Sequence, residues 1–142
     1  MDKTLDTIRL MLEGSTITLE IFCVTLALSL PLGLFAALGR LSRFRLLSRL
    51  LEIYIWIMRG TPLMLQLLFV YFALPMVGIM LPDIAAALLA FVLNYAAYFA
   101  EIFRSGIQAV PRGQFEAARA LGMSAPLTMR RIVLPQGPRI TL

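Results

Sequence analysis

Histidine is absent from this chain of 142 residues. Cysteine occurs once, as Cys23, and lysine once, as Lys3. One cysteine cannot close an intrachain disulfide, and here it says nothing about redox compartment. With no histidine and no cysteine pair, the usual ligands of a zinc site are missing. The acids do not compensate: Glu20, Glu52, Asp83, Glu101 and Glu116 stand singly. No catalytic, cofactor-binding or metal-binding residues are therefore expected, and a membrane enzyme is the weakest reading. Because Lys3 is the only lysine, a G-x-x-x-x-G-K-[ST] phosphate loop cannot occur. A nucleotide-hydrolysing site of that kind is thereby excluded from this chain. Charge is scarce too, at 15% of residues.

What fills the space is apolar. Hydrophobic residues make up 60% of the chain, against about 45–50% in a soluble domain. They fall in long uncharged runs, which marks an integral membrane protein. The net charge of +5 is carried by arginines clustered between those runs. Such a pattern points to cytoplasmic loops near lipid headgroups before it points to nucleic acid.

Residues 1–15 are mixed, with Asp2, Lys3, Asp6, Arg9 and Glu13 summing to −1. No basic region precedes a short apolar core there, so a cleaved signal peptide is not expected. The stretch 8–12 reads as a short interfacial helix, and Gly14-Ser15-Thr16 as a break and cap. Ile21 to Leu38 is uncharged, extended at the front by Thr16 to Glu20. Its eighteen residues cross most of a roughly 30 Å hydrocarbon core at about 1.5 Å each. Pro31 and Gly33 inside it are tolerated in membrane helices and suggest a kink. Gly39 to Arg49 carries Arg40, Arg43, Arg45 and Arg49 and no acid, which puts this side in the cytoplasm and the N-terminus outside.

A second span is expected from near Leu50 to near Leu81, interrupted by Arg59-Gly60-Thr61-Pro62. Two readings stand side by side. In a straight, upright helix Arg59 lies about 15 Å beyond Arg49, near mid-bilayer, where it must face a partner or a cavity. A helix broken there offers free N–H groups to an anionic ligand. Alternatively the helix begins at Pro62 or Leu63, and Arg59 snorkels at the interface. Leu63 to Leu81, with Gln66 its one strongly polar residue, is long enough by itself. Pro75 and the stretch 78–83 close the span with an outer turn. Ile84 to Ala100 is the third span. Asn94, Tyr98 and Glu101 step by four and three, so they share one helical face. Such a face avoids lipid: it looks at other helices or at a translocation path. Glu101 also has Arg104 and Arg112 as candidate partners. Arg59, Gln66, Asn94, Tyr98 and Glu101 are the candidate substrate-path residues, Arg59 suiting a carboxylate and Gln66 with Asn94 suiting polar groups.

Beyond the third span the sequence turns basic and regular, reading EAARALGMSAPLTMRRIVLP from Glu116 to Pro135. Ala117, Ala118 and Ala120 favour helix. Gly122 suits a helix end at positive φ. Ser124 reads as the cap of a second helix with Pro126 in its first turn, stopped by Pro135 and Pro138. The local expectation is helix, glycine corner, helix.

Glu-Ala-Ala, three residues, Gly, nine residues, Ile, one residue and Leu-Pro resembles the cytoplasmic EAA loop of ABC-importer permeases. Both RGTPLMLQLLFVYFALP and AAYFAEIFRSGIQAVPRGQFEAA are similar to permeases of polar amino acid importers. The resemblance runs from about Gly14 to the end of the chain. It implies an all-α membrane protein: three transmembrane helices plus a cytoplasmic coupling-helix loop, at the start of a longer permease bundle. Residues 1–15 would be an extracytoplasmic segment and 16–142 the permease domain, with its coupling loop at 109–138. The resemblance implies ATPase coupling through Glu116, Ala117, Ala118, Arg119, Gly122, Ile132, Leu134 and Pro135. Implied partners are cytosolic ATPase subunits that hold ATP and Mg, a second permease subunit, an extracytoplasmic amino-acid-binding protein and the lipid bilayer. Nucleic acid is not among them. The implied location is a bacterial inner membrane. Permeases of that family continue with further spans; residues 136–142 read as the start of another, so a longer protein is expected. An ATPase-independent channel or structural subunit explains the spans but not the spaced motif; an ABC permease for another small polar solute remains the other alternative.

Overall fold

A computed structural model describes residues 2–136. Every regular element among them is helical: α1 (Asp2–Arg40), α2 (Arg45–Gly60), α3 (Leu63–Met76), α4 (Asp83–Ala109), α5 (Arg112–Ala120) and α6 (Ala125–Thr128), the last continuing into a π-helical turn, Met129–Val133. Two of these helices, α1 and α4, are long and apolar enough to cross a membrane; α2 and α3 make a third span if that bent pair counts as one.

α1 runs unbroken for 39 residues, about 58 Å. The expected break at Gly14-Ser15-Thr16 does not occur. Ser15 and Thr16 turn their hydroxyls back onto the carbonyls of Met11 and Leu12, at 2.7 and 2.9 Å. Hydroxyls satisfied within the helix do not cap a new one. The stretch 8–12 is likewise part of α1, not a separate interfacial helix.

α1 and α4 form the core, and they run in the same direction. Thr25 and Ser29 lie beside Phe91 and Tyr95, Gly33 beside Phe99, and Leu38 against Ile107 and Val110. The buried stripe of α1 is Thr25, Ser29, Gly33 and Ala37, four residues apart and all small. It meets Ala96 and Ala100 on α4, which are 2% exposed or less. Small side chains let membrane helices approach closely where no hydrophobic effect drives them together. A Cβ on Gly33 would stand 2.5 Å from the Phe99 Cβ, 3.0 Å from the Ala96 carbonyl oxygen and 3.1 Å from the Ala100 nitrogen. Gly33 therefore serves close packing; α1 runs through both Pro31 and Gly33 without interruption.

The second span starts earlier than expected, at Arg45, and is broken at 61–62, where α3 turns 106° from α2. Pro62 has no N–H and fixes its own φ at −61°, and it pushes Thr61 into extended backbone. α3 packs antiparallel to the N-terminal half of α4, Gln66 reaching Asn94 and Val70 lying beside Ala86. It ends at Met76, short of Leu81. Gly78, at φ 86°, closes it: the N–H groups of Gly78 and Ile79 donate to the carbonyls of Pro75 and Leu74. α2 takes the C-terminal half obliquely and docks Ile55 against Ala97 and Ala100. The third span is longer than the expected Ile84 to Ala100, because α4 carries on to Ala109 and keeps Glu101 inside the helix.

Candidate functional site

The candidate side chains lie along α4 and in the loop after it, in three groups. The first is a polar clasp at the break between α2 and α3. Breaking a helix frees carbonyls that lipid cannot satisfy. Here the side chains of Gln66 and Asn94 take them. The Gln66 Nε2 donates to the carbonyls of Met58 and Thr61, at 2.9 and 3.2 Å, and to the Thr61 hydroxyl at 2.7 Å. The Asn94 Nδ2 donates to the Met58 carbonyl at 3.1 Å and to the Gln66 Oε1 at 3.0 Å. Thr61 in turn donates its hydroxyl to the Ile57 carbonyl. Asn94 is buried. Two residues expected on the substrate path thus hold the broken helix to α4.

The second group is a charged cluster with Glu101 at its hub. Arg40 donates to the Glu101 Oε2 at 2.5 Å and to the Glu52 Oε1 at 3.3 Å. Arg104 donates to both Glu101 oxygens, and an Arg59 nitrogen stands 4.0 Å away. Among the described residues Glu101 pairs with Arg104, Arg40 and Arg59, and not with Arg112. The Arg59 guanidinium also lies over the Tyr98 ring, 5.5 Å from its centroid, in cation–π geometry. Arg40, Glu52, Trp56, Arg59, Tyr98 and Glu101 line an open cavity of about 400 Å³.

Of the two readings of Arg59, the mid-depth one rests on an upright second helix. α2 is oblique, and Arg59 ends level with Tyr98 and Glu101, about 22–27 Å along α4 from Asp83. It also lies in the last turn of α2, so it does not stand at a helix N-terminus. Sequence reasoning had placed Arg40 in a basic loop and left Glu52 unassigned. Their one signal was position: Arg40 ends one apolar run and Glu101 ends another on the same side.

The third group is the loop after α4. Gly122 has φ 72°, as expected for the corner. The N–H of Gly122 donates to the Arg119 carbonyl and that of Met123 to the Ala118 carbonyl, at 2.9 and 3.0 Å, a Schellman closure of α5. Ser124 occupies the N-cap position of α6 but makes no side-chain cap; its carbonyl instead accepts from the Thr128 N–H and hydroxyl. Pro126 sits in the first turn, as expected. Pro135 does not stop the helix, since residues 134–136 remain helical. The π-helical turn just before it loosens the i−4 spacing at which a proline ring collides with a carbonyl. Pro138 lies outside the described residues, as does all but Gln136 of the stretch 136–142, where another span is expected to begin.

Burial divides the motif residues. Ala118 is fully buried, and Ile132 and Leu134 are partly buried. Val133 is fully buried against Ile107 and Val110, with Leu38, Phe115 and Leu134 around them. Glu116, Ala117, Arg119, Gly122 and Pro135 are exposed. The loop thus has an inner face seated on α1 and α4 and an outer face that is free. Among the described residues no three His, Cys, Asp or Glu side chains gather as a metal site.

Residues 29–138 match the family described as binding-protein-dependent transport system inner membrane component. The chain is similar to the probable amino-acid ABC transporter permease YckA of Bacillus subtilis, 45% identical over 92% of this chain and 58% of the relative. It is similar to the arginine transport system permease ArtQ of the same organism, 43% identical over 94% and 61%. It is also similar to a putative glutamine transport system permease, GlnP, of Rickettsia bellii, 42% identical over 87% and 57%. A crystal structure of an amino acid ABC transporter with histidines superposes with a TM-score of 0.86 at 38% identity, over 95% of this chain and 63% of that one. The chain therefore spans about three fifths of the length of these relatives.

Proposed function

Because the chain belongs to the family of binding-protein-dependent transport system inner membrane components, we propose that it is the permease subunit of an ATP-driven importer of polar amino acids. The observation that carries the reading is the loop 112–136: its apolar side is seated on α4 and its polar, small-residue side is free. That is the form needed by a part that another protein must grip. Cytosolic ATPase subunits, which hold ATP and Mg, engage Glu116, Ala117, Arg119 and Gly122. Ala118, Ile132 and Leu134 hold the seat, and Pro135 follows the π-helical turn. Glu116 and Arg119 supply charge-assisted contacts to the ATPase. The loop faces the cytoplasm and the N-terminus lies outside, in keeping with the arginines of 40–49. A second permease subunit completes the pathway, and an extracytoplasmic binding protein delivers the solute. This chain itself performs no covalent chemistry.

The cavity beside Arg59 supports an amino acid as cargo. It presents Arg40 and Arg59 against Glu52 and Glu101, an equal number of each sign. Such a lining complements a zwitterion better than a sugar. Arg59 is the carboxylate-facing residue, over Tyr98. Gln66 and Asn94 act on the path indirectly, by fixing the helix break at its edge.

Gly122→Asp tests the coupling. It strains a backbone at positive φ and puts a charge on the exposed corner, while nothing lies within 4 Å of its added Cβ. Membrane insertion is expected to persist, and solute-stimulated ATPase and uptake to be lost. A cytosolic ATPase is expected to copurify with the chain and to be released when residues 113–122 are altered. Normal uptake by the Gly122→Asp variant would overturn the coupling role.

A further inference from the structure

The connection after α1 and the first turns of α2 carry three arginines that the site does not use. Arg43, Arg45 and Arg49 are exposed. None of the three has an ion-pair partner among the described residues, whereas Arg40, Arg59 and Arg104 all do. No acid lies in residues 39–51, and the nearest, Glu52, is engaged by Arg40. The first turn of α2 also lacks an acid, and Phe44 offers its N-cap no side-chain hydrogen bond. Its uncapped N–H groups add to the positive field.

Apolar groups stand beside these charges. Phe44, Leu46, Leu50 and Ile53 are 65%, 63%, 56% and 53% exposed. α2 is amphipathic and oblique, bent 106° from the helix that follows it. A nucleic acid or an acidic protein face would neutralise the arginines and leave the leucines and Phe44 in water. The boundary of a bilayer takes both, with the side chains in the acyl region and the guanidiniums among phosphates. We infer that the Arg43–Arg45–Arg49 segment binds the headgroups of anionic phospholipids in the leaflet that it faces. The inference needs only that the chain is a membrane protein, not that it carries amino acids.

The single tryptophan, Trp56, makes this measurable. It is 75% exposed and lies on α2 seven residues, about 10 Å, beyond Arg49. The whole chain is reconstituted in phosphatidylcholine vesicles containing about 30 mol% phosphatidylglycerol, an anionic lipid of the kind that attracts basic segments. In one set the phosphatidylcholine is brominated and in the other the phosphatidylglycerol, at matched mole fractions. Brominated phosphatidylglycerol is expected to quench Trp56 at least about threefold more effectively per lipid. The preference should shrink on raising salt from about 0.05 M to about 0.5 M. It should fall to about one in the Arg43→Gln, Arg45→Gln, Arg49→Gln variant and partly in Arg49→Gln alone, with helical circular dichroism unchanged. Equal quenching by the two lipids in the unaltered chain overturns the inference whatever the variants do. So does a preference that the variants retain. Loss of the preference on adding inorganic phosphate at constant ionic strength would assign the site to a free anion instead. Binding of soluble polyglutamate without any lipid preference would assign it to an acidic protein.

Discussion

A single methyl group at Gly33 tests how α1 and α4 are held together. Of the three atoms that an added Cβ would meet, two belong to the backbone of α4, the Ala96 oxygen at 3.0 Å and the Ala100 nitrogen at 3.1 Å. The third, the Phe99 Cβ at 2.5 Å, is fixed to that backbone. No rotamer change clears any of them, so the helices must part. Carbon atoms sit comfortably at about 3.5–4.0 Å, which sets the separation required at about 1 Å. Overpacking of this kind costs about 1–3 kcal/mol. Alanine also gains up to about 1 kcal/mol over glycine in helix propensity, which masks part of the loss. Gly14 supplies the correction: it lies in the same helix, and nothing stands within 4 Å of its added Cβ.

The quantity to measure is therefore the difference between Gly33→Ala and Gly14→Ala, in which the propensity gain largely cancels. It should be about 1–3 kcal/mol, or roughly 5- to 150-fold in the unfolding equilibrium, with Gly33→Ala the less stable. Denaturation by a mixed-micelle titration, followed by Trp56 fluorescence and circular dichroism, reads it. If the two variants unfold together, the close approach of α1 and α4 is not what holds the core.

Three further outcomes follow from the polar groups. Ser29 is fully buried and its hydroxyl has no partner among the described residues, so Ser29→Ala should be neutral or stabilise by up to about 1 kcal/mol in the same titration. Asn94→Leu and Gln66→Leu should each destabilise, and a double-mutant cycle should return a coupling of about 0.5–1.5 kcal/mol; additive losses would mean the clasp does not act as a unit. Glu101→Gln leaves Arg40, Arg59 and Arg104 facing one another without their shared counter-charge and should cost about 1–3 kcal/mol, with trypsin cutting faster at Arg40 and Arg59.

Periodicity made one part of this arrangement legible. Asn94, Tyr98 and Glu101 share one face by their spacing, and that face does meet other helices: Asn94 meets α2 and α3, Tyr98 meets Arg59 of α2, and Glu101 meets Arg40 of α1. The Gly122 corner was legible because only a residue without Cβ adopts φ 72° cheaply. Inferences from single residue types reached less far. Gly14-Ser15-Thr16 reads as a cap, yet hydroxyls can equally bond to the turn behind them, and nothing local decides between the two. Gly33 reads as a kink beside Pro31, yet its purpose appears only when Phe99, 66 residues later, is beside it. The depth of Arg59 depended on the direction of α2, which the 106° turn sets and no spacing encodes. The Arg40–Glu101 pair joins residues 61 apart, beyond the reach of any helical repeat.

One helix connects all three groups, and that constrains how coupling works if force enters at α5 as proposed. Val110, which seats the loop, lies nine residues beyond Glu101 and sixteen beyond Asn94, about 13 Å and 24 Å along α4. An unbroken helix carries an axial push over that distance without rearranging side chains. α1 cannot stay behind, because Gly33 and Leu38 tie it to the same helix at two levels. The compliant points are the break at 61–62, whose freed carbonyls the Gln66–Asn94 clasp holds, and the π-helical turn before Pro135. Movement of α1 and α4 together must therefore be taken up at the break, which borders the Arg59 cavity. Loosening the clasp should accordingly change transport while leaving the ATPase bound, whereas altering the loop should remove both.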